Sequence, residues 1–258
     1  MKPTVLILFN RSDYAPRPWL DDGGFNVVSV DYSDTDHSGA HRDTTGDHVR
    51  LSIDLSQGDA VYMVQWHLRT MGMAQPSLVV SFAPCTDLAV SGAKHFARKL
   101  EQDPQCQDRA VRMAKLASEF GCPYAVENPV SVLATLWRKP NHYWHPCYFA
   151  GYCPPGEHPE FPGIIPEQDR YHKKSCLWTG NGFVMPSPSF LAPLEGANPG
   201  WEKLGGKSAR TKYIRSLTPR GFAQAVYVAN RDNIMSQWGL QTMLDAPTMP
   251  TGQLELNV

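Results

Sequence analysis

Four short apolar runs, each closed by a polar or turn-forming residue, limit what this chain can fold into. They are Thr4–Leu8, Phe25–Val30, Ser77–Phe82 and Tyr124–Val126. None alternates cleanly between polar and apolar residues. A strand that is apolar on both sides must be covered on both sides, which is the condition of a parallel sheet sandwiched by helices. A fifth, weaker run covers Val49–Ile53. Between the runs the period changes to that of helices. Asp59–Met71 reads as one, with Asp59 near its start and Gly72 past its end. Cys106–Phe120 reads as another, with Ala110, Val111, Ala114, Ala117 and Phe120 near one face and Gly121 as its stop. Strands alternating with helices predict an α/β fold: a Rossmann-like, doubly wound, mostly parallel sheet over residues 1–138.

The character of the chain changes after residue 138. Asn141–Pro166 is dense in Pro, Gly, His, Tyr and Cys, and Met185–Gly206 is again rich in Pro and Gly. Lys174–Trp178 reads as one more strand. A helix starts near Pro219, a residue suited to the first helical position, and carries Phe222, Ala225, Val226 and Ala229 inward. This predicts an irregular insertion over 139–218 that lends one core strand and a substrate-contacting loop. It also predicts a C-terminal helix and tail over 219–258 packing back on the core. With 258 residues, 42% of them apolar, the chain can bury one sizeable core.

Charge and cysteine usage narrow the function. The formal net charge of −1 gives no global basic field for nucleic acid. A local strip remains: Lys203, Lys207, Arg210, Lys212, Arg215 and Arg220, interleaved with Trp201 and Tyr213. The first apolar run is too short for a signal-peptide core, and no segment approaches the ~20 apolar residues of a membrane span. The expectation is a cytoplasmic protein with no membrane partner. Six cysteines in that compartment read as buried, catalytic or metal-bound rather than paired.

The strand ends carry the chemistry. In SFAPCTD the strand read over Ser77–Phe82 stops at Pro84 and presents Cys85; in AVENPVS the strand read over Tyr124–Val126 delivers Glu127. Polar groups at the carboxyl ends of neighbouring parallel strands open into one crevice. If the two strands are neighbours, the thiol and the carboxyl face a common pocket.

Pro84-Cys85 after one buried strand, followed by Glu127-Asn128-Pro129 after the next, resembles the C5-cytosine-specific DNA methyltransferases. The likeness is greatest to their compact phage and prophage type. Lys173-Lys174-Ser175-Cys176-Leu177-Trp178 is similar to the basic strand that follows in that family. The resemblance implies a class I methyltransferase-like sheet and a cytoplasmic enzyme, in the host cytoplasm if phage-encoded. The substrate would be DNA or a pyrimidine nucleotide. Cys85 would add to C6 of the base, making C5 nucleophilic, and Glu127 would hold the N3 and amine edge. Pro84, Asn128 and Pro129 would shape the pocket, and Lys173 or Lys174 would contact the pyrimidine oxygen or a phosphate. A duplex base must be flipped out to be reached.

The resemblance also implies S-adenosylmethionine as donor, with Phe9, Asn10, Asp31 and Asp54 at the cofactor positions. Here the chain departs from the family. The turn after the first strand is normally glycine-rich, yet this one reads Phe9-Asn10-Arg11-Ser12-Asp13-Tyr14, with no glycine before Gly23. A non-methylating homologue that binds nucleic acid or a nucleotide, or one using another donor, is the alternative. A further candidate is a structural zinc site, with Cys147-x5-Cys153-x4-His158 completed by Cys176, amid His142, His145 and His172.

Overall fold

The computed structural model describes residues 1–10, 12–32, 40–42, 48–194 and 208–244. Its centre is β1 (Thr4–Leu8), every residue of which is buried. β1 pairs in parallel with β2 (Asn26–Asp31) on one side and with β5 (Pro76–Ser81) on the other. β2 pairs in parallel with β4 (His48–Ser52), and β5 with β6 (Tyr124–Pro129). Two antiparallel strands finish one edge: β8 (Ser175–Gly180) lies on β6, and β7 (His142–Trp144) on β8. At the other edge β3 (Ala40–Arg42) runs antiparallel to β4. The eight-stranded order is β3-β4-β2-β1-β5-β6-β8-β7. The fold is therefore α/β, Rossmann-like and mostly parallel. The chain steps outward from β1 through β2 to β4, then returns to β5 on the opposite side. That reversal puts the topological switch point, where doubly wound sheets bind ligands, between the ends of β1 and β5.

Helices cover both faces. On one, α2 (Ala60–Thr70) turns Ala60, Val64 and Leu68 inward at four-residue spacing, and α4 (Cys106–Lys115) buries Ala110, Val111 and Ala114. A single turn after β6, α5 (Leu133–Leu136), adds Leu133 to the same face. On the other, α1 (Arg17–Asp22) brings Trp19, and α7 (Arg220–Leu244) brings Phe222, Ala225, Val226 and Ile234. Phe222 stacks on Trp144 of β7 at 4.0 Å between ring centroids, so α7 reaches the antiparallel edge. Each large side chain so buried contributes about 1.5–3 kcal/mol, before the entropy of ordering it.

The departures from expectation have physical causes. The helix read over 106–120 is α4 followed by a tighter 3-10 turn, Leu116–Phe120, closed by Gly121 at φ +74°. β6 runs on through Pro129, because antiparallel β8 supplies partners for Glu127, Asn128 and Pro129. Glu127 thus lies within a strand rather than just beyond one. β3, β7, α3 (Phe96–Gln102) and α6 (Ala209–Ser216) had no sequence signal; three-residue strands are too short to show a period. Among the described residues no helix is long and apolar enough to cross a membrane. Of the basic strip, Trp201, Lys203 and Lys207 lie outside the described residues, as does Arg11 of the first turn.

Candidate active site

β5 ends where proline removes a backbone donor. Phe82 still donates to Leu8 O at 3.1 Å, but Pro84 cannot extend a ladder, and the chain turns. Cys85 opens that turn: its carbonyl accepts from Leu88 N at 3.0 Å and Ala89 N at 2.8 Å. Lys99 of α3 pins the turn from outside, with Nζ donating to Thr86 O and to Asp87 Oδ1, both at 2.7 Å. β6 ties it from inside. Asn128 Nδ2 donates to Ala83 O at 2.9 Å, Val90 N to Val130 O at 3.1 Å, and Val132 N to Leu88 O at 2.9 Å.

Cys85 follows β5 and Glu127 lies in β6, so the condition that the two strands be neighbours is met, and both residues are partly open to solvent. They act on each other electrically. The Cys85 thiol is pushed above the ordinary thiol range, first by burial and then by the Glu127 carboxylate; Lys173 pulls it back.

The other residues assigned to the substrate divide. Pro84 is exposed at the rim, and Pro129 is partly buried, paired with Ser175. Lys173 is half-buried with Nζ 3.4 Å from Arg215 O, at the carboxyl end of α6. Lys174 goes elsewhere: its ammonium sits 5.0 Å from the Tyr143 ring centroid, at the sheet edge. Adjacent residues of an extended chain face opposite sides, and only Lys173 has the parity of Ser175, Leu177 and, across the ladder, Glu127. Asn128 corrects the sequence reading. It is completely buried and bonded to Ala83 O, so it holds the turn that carries Cys85 and lies out of reach from the surface.

The four positions that the resemblance gives to S-adenosylmethionine do not form a cradle. Phe9 keeps a left-handed backbone, φ +56°, the conformation glycine would adopt without penalty, but its side chain packs against the α2/α4 face. Asn10 is buried and donates to Ser12 O at 2.7 Å, so the turn is bonded to itself. Asp54 accepts from Ser56 N, Ser56 Oγ and Gln57 Nε2 at 2.9, 2.7 and 2.7 Å, which holds its carboxyl below the usual range as a local turn cap. Asp31 stands at the end of β2, where such sheets hold a ribose, with Oδ1 accepting from Tyr32 N at 2.9 Å. The residues as placed do not fit the cofactor.

The zinc reading is also corrected. Among the described residues no three His, Cys, Asp or Glu side chains are grouped to hold a metal. Cys176 is core, on the α2/α4 face of β8. Cys153 is buried near Asp169, with its thiol pushed up to about 12. His158 spends Nδ1 accepting from Glu160 N and Phe161 N at 3.3 and 3.1 Å, and burial lowers its pKa to about 4. Cys147 lies 3.8 Å from His172 Nδ1, apart from the other three.

No family model matches the chain, and no curated protein does. Among solved structures it is similar to a doubly substituted variant of a Serratia marcescens short-chain dehydrogenase/reductase, at 15% identity and TM-score 0.31, over 46% of this chain and 52% of that one. A second double mutant of the same enzyme gives the same identity and TM-score, over 46% and 51%. The chain thus spans about half the length of the structures it matches. A likeness this weak carries no functional inference.

The structure adds residues that had no sequence signal. Tyr171 is wholly buried, and its hydroxyl is raised by burial, by Asp169 and by Glu127. Glu160 accepts from Tyr14 Oη at 2.8 Å and Tyr213 Oη at 3.4 Å, tying the first turn, the insertion and α6 together. Lys99 lies 13 residues beyond Thr86, whose turn it steadies. Only folding brings each of these groups to its partners.

Proposed function

We propose that this chain is an enzyme that modifies a pyrimidine, in DNA or as a nucleotide, by thiol addition in the manner of C5-cytosine methyltransferases. The observation that carries the reading is the placement of Cys85 just past β5 and of Glu127 in the last half of β6, its parallel partner, both partly open and electrostatically coupled. Loss of the thiol proton comes first. The sulfur then bonds to C6, the C5–C6 π pair moves toward C5, and Glu127 meets the N3 and amine edge where charge changes. Lys173 is the cation that favours the thiolate. C5 then bonds to the electrophilic group of a donor, its original proton passes to water, and the electrons of that C–H bond restore the C5–C6 double bond as S–C6 breaks. α6 supports a polynucleotide over a free nucleotide. Its Arg210 and Lys212 are exposed, it contains no acidic residue, and Lys173 joins its end to the cysteine site.

A second reading has its own support. The closed turn at Phe9 and Asn10 and the engaged Asp54 favour a relative that keeps the base site but takes another donor, or none.

Two trapping arms separate these. An oligonucleotide carrying pyrimidin-2-one accepts a thiolate without any donor and reads addition alone. One carrying 5-fluorocytosine, with S-adenosylmethionine present, reads complete transfer, because fluorine cannot leave as a proton does. Adducts in both arms, lost in Cys85→Ala, support the first reading; an adduct in the first arm alone supports the second. No Cys85-dependent adduct in either arm defeats both.

A further inference from the structure

We propose that Asn128 is a positioning residue that sets how Cys85 faces Glu127; the proposal rests on the reading that those two act as a pair. The backbone ladder between β5 and β6 ends at Ser81 and Val126. Two residues further on, where Ala83 and Asn128 would form the next rung of that face, the Asn128 carboxamide donates to Ala83 O at 2.9 Å. The side chain continues a ladder that the backbone has abandoned, two residues before the nucleophile and one after the carboxylate. On the far side of the turn, Val90 N to Val130 O and Val132 N to Leu88 O close the frame. Cys85 is thus held between one side-chain tie to the strand that bears Glu127 and two backbone ties to the residues just past it.

The other half of the same amide argues that this contact is not incidental to packing. Asn128 has no solvent exposure, and among the described residues its buried Oδ1 has no hydrogen-bond partner. A leucine of similar shape would strand no side-chain oxygen, but it would take this donor away from Ala83 O. The stranded oxygen is offset here because the N–H of the same group grips the turn. Its parity is opposite to that of Glu127, so it grips from behind without entering the base site.

The test reads geometry through the thiol and needs no nucleic acid, so it stands apart from the trapping arms. Alkylation of the Cys85 peptide by iodoacetamide is followed by mass spectrometry at pH 8 in wild type, Glu127→Gln, Asn128→Leu and the double variant. In wild type, Glu127→Gln removes the nearby anion and speeds alkylation roughly three- to tenfold. In the Asn128→Leu background the same change is expected to speed it by less than about twofold, because the turn no longer holds the sulfur against the carboxylate. Asn128→Ser, which keeps a donor, restores part of the effect. Equal acceleration in both backgrounds overturns the proposal. So does a failure of both Asn128 variants to fold, judged by circular dichroism, since that would assign the residue to strand formation instead.

Discussion

Burial and the Glu127 carboxylate together push the Cys85 thiol above its ordinary range: the cysteine follows β5, and Glu127 lies in β6, the parallel neighbour of β5. This is the reverse of the arrangement in enzymes whose cysteine rests as thiolate beside an imidazolium or helix terminus.

Cys85 alkylation should rise steeply with pH and reach half its maximum above the ordinary thiol range. Cys122, the other partly exposed thiol, is pushed up to about 12 and should stay nearly silent over the same interval. Lys173→Met removes the cation that favours the thiolate and should slow alkylation at pH 8 roughly threefold. Peptide-resolved labelling rates across pH give both results.

The insertion is anchored to the core by one buried charge pair. Asp169 accepts from Arg220 N at 2.5 Å and faces the Arg220 guanidinium at 3.3 Å; it is nearly inaccessible. Arg220→Met leaves that carboxylate unpaired and should cost about 3–5 kcal/mol in urea unfolding. Asp169→Asn keeps an acceptor for Arg220 N and should cost less.

His158 predicts a loss of stability on the acid side. Its folded pKa of about 4 lies below the unfolded value of about 6.5, so the unfolded chain binds the proton first. The neutral-form contribution is intact above about pH 6.5 and disappears progressively as pH falls toward about 4. With screening it amounts to on the order of 1–2 kcal/mol. Denaturation midpoints between those limits should show this slope, and His158→Gln should flatten it.

Gly221 sits where α7 meets the insertion. A Cβ there would lie 2.9 Å from Phe149 C and closer still to Phe149 O, both backbone atoms that cannot swing aside. Gly221→Ala should lower stability by about 1–3 kcal/mol, visible as a fall in melting temperature.

The parallel half of the sheet was legible in the sequence because its strands are buried on both faces and announce themselves as unbroken apolar runs. Cys85 and Glu127 were legible for a related reason: they follow those runs, and neighbouring strand ends share a crevice. The roles of Asn128 and Lys174 were not. Each depends on strand parity and on β8 running antiparallel to β6, a pairing that no local pattern encodes. The proposed zinc ligands failed similarly, since spacing alone cannot show that Cys176 turns toward the α2/α4 core while His158 is consumed by its own turn.

The reversal of β8 has a consequence for how the molecule can be divided. Glu127 lies on β6, and its outer neighbour arrives only after a long stretch of chain has looped out and come back. A fragment ending before β7 would hold both reactive groups yet leave β6 as a naked border with its amides unanswered, inviting another chain to dock there. The working unit is therefore indivisible: the apparently dispensable proline-rich excursion carries home the rail on which the carboxylate rests.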